Sequence, residues 1–304
     1  MSQMSYIEII SHFLILSCLN LFSCGNPTER GINSTDVRNV NPIGYDLTNP
    51  DKTIIPPPIL LEISGITVID STSVACVQDE NGMIFIFDMV KNVISDHFIF
   101  HYPGDYEGVA RVAGSFYVLR SDGTLFETRN DKPSVYTQQI VSPVGPPANY
   151  EGLCYDHRNH RLLIVPKDNP ERGPGDEKKH PVFGFDLRSG THSGKEVLEF
   201  DLPAITRYAA ENNIKVPDEA KEISLRVSDI GIHPLTNMLY VISAANRLLV
   251  IFDEDGSVNY IEELNPDLFN LPEGIAFQDN GDMLISNEGR TNPPTILLFK
   301  YKRK

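Results

Sequence analysis

Apolar residues in this chain come in short runs, each broken by a polar turn and resumed, and the runs recur at a near-constant interval. Three recurrences open alike: Tyr106-Glu107-Gly108-Val109-Ala110, Tyr150-Glu151-Gly152-Leu153-Cys154 and Pro272-Glu273-Gly274-Ile275-Ala276. Two degenerate copies, Ile63-Ser64-Gly65-Ile66-Thr67 and Val227-Ser228-Asp229-Ile230-Gly231, make a set of five. Ser64 to Glu107 is 43 residues, Glu107 to Glu151 is 44 and Ser228 to Glu273 is 45. Runs this short, bounded by turn residues, read as strands. A repeat of about 40–50 residues built from short strands marks the blade of a β-propeller.

The same succession follows each opening. Second strands are expected at Ser73–Val77, Ser115–Leu119, Arg161–Val165, Met238–Ile242 and Met283–Ser286. Third strands are expected at Met83–Asp88, Thr124–Thr128, Val182–Leu187, Arg247–Asp253 and Thr295–Tyr301. Asn81-Gly82 and Asp122-Gly123 have hairpin-turn composition. Fourth strands fall at Val93–Phe100, Val135–Val141, Glu196–Asp201 and Ser257–Leu264, and the fifth repeat reaches Lys304 without one. The fold expected is all-β, a single propeller of five four-stranded blades. The missing strand is expected from the N-terminal side, at Ile43–Leu47, so that no sheet edge stays open.

One interval is long: Glu151 to Ser228 is 77 residues. Part of it is the Gly/Pro-rich stretch Asp168 to Pro181. The rest is an insertion at about residues 202–225, in which Ala204–Asn212 reads as a short helix with Pro203 near its first turn. Residues 25–44 hold almost no apolar side chain and cannot offset their ordering entropy, so a flexible tether is expected over 24–42 and the propeller over 43–304.

The first 23 residues stand apart. Ile9 to Phe22 is a largely apolar stretch of signal-peptide length, too short for a bilayer span of ~20 residues. Leu21-Phe22-Ser23-Cys24 resembles a bacterial lipobox, whose Cys is lipidated at the new N-terminus, although Phe22 is bulky and the leading residues lack Lys and Arg. These features imply a lipoprotein of the bacterial cell envelope, with the membrane as its partner through lipid on Cys24. Of the remaining cysteines, Cys76 and Cys154 sit inside apolar strands and read as buried thiols rather than a disulfide. Cys154 aligns with Thr67, Ala110, Gly231 and Ala276, a slot that demands a small residue. The net charge of −15 argues against a nucleic-acid partner, since phosphate binding needs basic surface.

Tyr45-Asp-Leu-Thr-Asn-Pro-Asp51, Glu62-Ile-Ser-Gly-Ile66, Val77-Gln-Asp-Glu-Asn-Gly82 and Tyr106-Glu-Gly108 resemble the SdiA-regulated domain (YjiK-like) family. So do Val118-Leu-Arg-Ser-Asp-Gly123, Glu151-Gly-Leu-Cys-Tyr-Asp156, Ser228-Asp-Ile-Gly-Ile-His-Pro234, Pro272-Glu-Gly-Ile-Ala-Phe277 and Ile285-Ser-Asn-Glu-Gly289. The resemblance spans about residues 45–301. It implies an exported or membrane-anchored propeller and, by likeness to phytase-type propellers, suggests a calcium link. It implies no reaction.

In such a fold the starts of the first strands and the ends of the second strands share one mouth of the central channel. The first ring reads Ser64, Glu107, Glu151, Ser228 with Asp229, and Glu273; the second includes Asp79, Arg120, Lys167 and Asn287. Three glutamates converging on an axis repel one another, and a cation, a raised pKa or a paired base must resolve this. Calcium, which takes six to eight oxygen ligands, would draw them from Glu107, Glu151, Glu273, Asn287 and Asp79. Alternatively each glutamate pairs within its own blade, Glu107 with Arg120 and Glu151 with Lys167. No His/Cys cluster has zinc spacing and no catalytic serine motif is visible. Three roles stay open: a binding or sensing module for a small ligand or protein at the propeller face; a calcium-dependent phosphoester or lactone hydrolase in which Arg120 and Lys167 grip the anion; and a protein-interaction scaffold.

Overall fold

The structure is a computed structural model that describes residues 41–141, 145–171, 173, 176–215 and 223–303. The expected signal peptide, Cys24, nearly all of the expected tether and part of the expected insertion lie outside the described residues. Those that are described form five antiparallel four-stranded sheets. After β1 (Lys52–Ile54), the first blade is β2 (Ile63–Val68), β3 (Ser73–Gln78), β4 (Met83–Asp88) and β5 (Val93–Ile99). The second is β6 (Tyr106–Val112), β7 (Ser115–Arg120), β8 (Leu125–Asp131) and β9 (Ser134–Val141), and the third β10 (Tyr150–Asp156), β11 (Arg161–Pro166), β12 (Lys179–Asp186) and β13 (Thr191–Asp201). Helix α1 (Leu202–Glu211) precedes the fourth, β14 (Asp229–Ile232), β15 (Leu239–Ser243), β16 (Leu248–Phe252) and β17 (Val258–Glu263). The fifth holds β18 (Pro272–Phe277), β19 (Met283–Asn287) and β20 (Thr295–Phe299).

Both faces of the inner strands are covered, which is why their sequences run apolar without strict alternation: in β3, Val74 to Val77 are all buried. The outer strand β5 alternates exposed and covered positions instead, because only one of its faces meets a neighbour. Five apolar clusters result, one in each gap between neighbouring blades.

The fourth strand of the last blade is β1, antiparallel to β20 with Thr53 opposite Leu297. This corrects the expectation that Ile43–Leu47 closes the ring. That run follows Pro42 and contains Gly44 at φ +93°, a left-handed turn that prevents an extended strand. Its aromatic residue is used differently. Tyr45 is fully buried between the fourth and fifth blades, and its hydroxyl donates to the Gly281 carbonyl at 2.6 Å.

The insertion also has a definite role in packing. Asp201 caps α1 by accepting from the Ala204 N–H at 2.9 Å, and Pro203 occupies the first turn. Leu202, Ile205 and Ala209 share one helix face and fill the gap between the third and fourth blades.

The glycines of the opening motif explain how five blades close so tightly. A Cβ on Gly65 would lie 2.8 Å from the Glu107 carbonyl oxygen of the next blade, and one on Gly108 would lie 2.7 Å from Leu153 Cβ. On Gly274 it would strike Ser286 Oγ and approach the Ile66 nitrogen of the first blade at 3.2 Å. Adjacent first strands thus touch through positions with no side chain, and β18 lies against β2 to complete the circle.

Candidate functional site

Each motif glutamate sits at a β-bulge, where the pairing register slips between Tyr106 and Gly108, Tyr150 and Gly152, and Pro272 and Gly274. A bulge takes one residue out of the ladder and re-aims its side chain, so the acids turn toward the channel mouth. Glu151 is the best held. Its Oε1 accepts from Lys167 Nζ at 2.7 Å and from Asn149 Nδ2 at 2.8 Å, and only 3% of the residue is exposed. Burial works against the charge of Lys167, yet the Glu151 bond and the charges of Glu151, Glu273 and Glu107 hold its pKa above the ordinary value.

The other two glutamates feel the lysine from further away. Burial, then the charges of Glu151 and Asp105, push Glu107 up to about 9. Burial and Glu151 push Glu273 up to about 7, against Lys167 and a hydrogen bond from Ser228. The repulsion expected of converging glutamates is therefore met by one ammonium and by raised carboxyl pKa values, burial pushing Glu151 up as well.

Arg120 does not pair with Glu107, contrary to expectation. Its Nε and Nη2 bind Asp122 at 3.0 and 2.7 Å, Nη2 also reaches Thr124 Oγ1, and the guanidinium lies 5.5 Å from the centre of the Phe126 ring. A carboxylate two residues away in the same hairpin turn captures the planar fork before it can reach the hub. Asp79 follows the end of β3, and Asn287 ends β19 opposite Pro272. Asp79 is pushed up to about 6 by burial and by Glu62, Asp105 and Glu80, and its Oδ1 is buried without a hydrogen-bond partner. Asn287 donates to the Leu268 carbonyl and to Thr295 Oγ1, while its Oδ1 has no partner. Among the described residues no three Asp, Glu, His or Cys side chains form a group that could hold a metal ion, so the five expected calcium ligands do not gather into one shell.

Asp229 occupies the position that glycine holds in the other blades. Its carboxylate is 2% exposed and spans the hub, accepting from the Ile275 N–H at 2.9 Å and the Leu153 N–H at 3.3 Å. Burial pushes its pKa well up, against the backbone donors. One side chain of the fourth blade thus ties it to both of its neighbours, the third and the fifth. Cys76 and Cys154 are free and buried, as expected.

A cavity framed by the whole ring lies at the other end of the channel. It measures about 550 Å³, and all five blades contribute, through the far halves of their first strands and the turns that follow. Its wall includes the aligned small positions Thr67, Ala110, Cys154, Gly231 and Ala276. That alignment is the signal in the sequence which points to this end, whereas the charged residues point to the opposite one.

A family model described as SdiA-regulated matches residues 57–292. The chain belongs to the SdiA-regulated family. Its propeller is similar in fold to the glutaminyl cyclase of Myxococcus xanthus, with a TM-score of 0.55 at 11% identity, covering 84% of this chain and 96% of that one. A chain of a nidogen/laminin complex matches with a TM-score of 0.45 at 9% identity over 74% of this chain and 72% of its own, too weak to carry an argument. Comparison with curated proteins gives no match. Family and fold are thereby fixed.

Proposed function

We propose that this protein is a binding or sensing module of the cell envelope, anchored by lipid on Cys24, that takes a small ligand into the channel end remote from the glutamates. One observation carries this reading: a cavity of about 550 Å³ framed by all five blades. Ligand pockets are concave, span roughly 300–1,000 Å³ and favour such mouths. The anchor and the envelope location are supported by the apolar segment and the Leu21–Cys24 pattern. The hydrolase reading gains nothing from the cations meant to grip its substrate, since Arg120 is held by Asp122 and Lys167 by Glu151.

A second reading keeps calcium at the acidic mouth. The unpartnered Oδ1 of Asp79, among Glu62, Asp105 and Glu80, favours it. Such an ion would need carbonyl oxygens or water to complete its shell.

Thermal shift separates the two. A ligand that binds only the folded ring stabilises it by about 2.7 kcal/mol at a hundredfold excess over Kd. A panel of small organic acids, amines and sugars should yield compounds that raise the melting temperature of wild type but not of Thr67→Trp, which sets a bulky ring into the cavity. Compounds that act equally on both proteins would overturn the channel-ligand reading. A calcium series against EGTA, with Asp79→Asn as control, decides the second reading.

A further inference from the structure

We infer that the cavity takes a small organic monoanion with an apolar body, its acidic group on Arg111; this deepens the channel-ligand reading and rests on it. Arg111 lies near the far end of β6 and lines the cavity. Unlike Arg120 and Arg161, which lie against Asp122 and Asp156, it joins no ion pair among the described residues. Among the described residues its side chain makes one hydrogen bond, from Nη1 to the Ile69 carbonyl of the neighbouring blade at 2.9 Å. That bond orients the guanidinium and uses one of its five donors, leaving a planar fork matched to the two oxygens of a carboxylate or sulfonate. In a chain of net charge −15, a cation without an acidic partner on a concave wall is the natural seat for an anion.

The remaining lining sets the rest of the ligand. Ile66, Val109, Leu153, Ile230, Ile275 and Phe277 contribute the apolar part of a wall that is also polar, and the ligand's apolar body packs against that part. Asp70 and Asp279 also line it and oppose a second negative charge, so a monoanion is favoured over a phosphate dianion. Asp70 is already engaged, its Oδ1 accepting from the Thr72 N–H and hydroxyl, both at 2.8 Å.

Two fluorescent probes that differ only in charge test this. 1-Anilinonaphthalene-8-sulfonate carries the anion, and N-phenyl-1-naphthylamine is the same ring system without it. Wild type should bind the sulfonate saturably and release it to octanoate. Arg111→Gln should weaken the sulfonate about tenfold or more, the value of a charged hydrogen bond, and leave the neutral probe unchanged. Arg111→Lys should restore part of the loss, and Thr67→Trp should exclude both probes, with unaltered melting curves showing that each variant folds. If Thr67→Trp excludes both probes while Arg111→Gln leaves the sulfonate unaffected, the anion assignment fails and the cavity reading survives. If neither substitution alters either probe, both readings fail.

Discussion

At the scale of single residues, the hub is governed by where charge can be afforded. Asp229 satisfies two backbone donors from two blades with two separate oxygens. An amide has only one oxygen, so Asp229→Asn must leave a buried N–H facing an NH₂ group. A destabilisation of about 1–3 kcal/mol is expected, read by chemical denaturation, and an unchanged midpoint would show that the tie to the neighbouring blades contributes nothing. Glu107 makes a pH prediction. Its folded pKa, pushed up to about 9, lies above that of an exposed glutamate, so the folded state holds a proton that the unfolded chain releases. Stability contributed by this group is then lost as pH rises from the ordinary glutamate range toward about 9. Glu107→Gln, which mimics the protonated form, should match wild type near about pH 5 and become the more stable of the two toward about pH 9, measured as melting temperature against pH. A constant difference across that range would mean that Glu107 does not hold its proton in the fold.

At the scale of elements, two N-terminal pieces do different work. Tyr45 and Leu47 are core residues of the gap between the fourth and fifth blades, whereas β1 covers the edge of β20. Chains beginning at Asn41, Asp51 and Pro56 separate these roles. The first should melt like the full chain. The second should lose about 3–5 kcal/mol, the cost of removing a buried aromatic side chain. The third should lose more and associate through the bared edge of β20. If the chains beginning at Asp51 and Pro56 have equal midpoints and equal sizes in solution, β1 does not close the ring.

At the scale of the whole molecule, the ring makes two unlike channel ends from one repeated strand. The first strand of each blade starts at an acid, or at Ser64 or Ser228, and ends past a small residue. Five copies around an axis therefore set a cluster of ionisable groups at one mouth and a roomy cavity at the other. Asp229 and the touching glycines lie between them. Charge and space are thus divided between opposite ends of one channel, so blocking the cavity at Thr67 should leave the behaviour of the Glu151–Lys167 pair intact.

The blades, their number and nearly all strand positions were legible in the chain, because burial on both faces writes a local apolar pattern and turns need particular residues. The helix after the third blade was legible through the proline near its first turn, whereas its cap and its buried face came from the fold. Pairing was legible only where it is local to a blade, as for Glu151 and Lys167. The partner of Arg120 was not, since a competing carboxylate in its own turn decides by reach and geometry. Nor was the closing strand, because Ile43–Leu47 holds three apolar residues and Lys52–Ile54 only one. Only the folded ring determines which of them can run extended beside β20 and which must turn to bury Tyr45. The open end of the channel and the bridge made by Asp229 were decided last, by the distance at which five first strands come to rest around their axis.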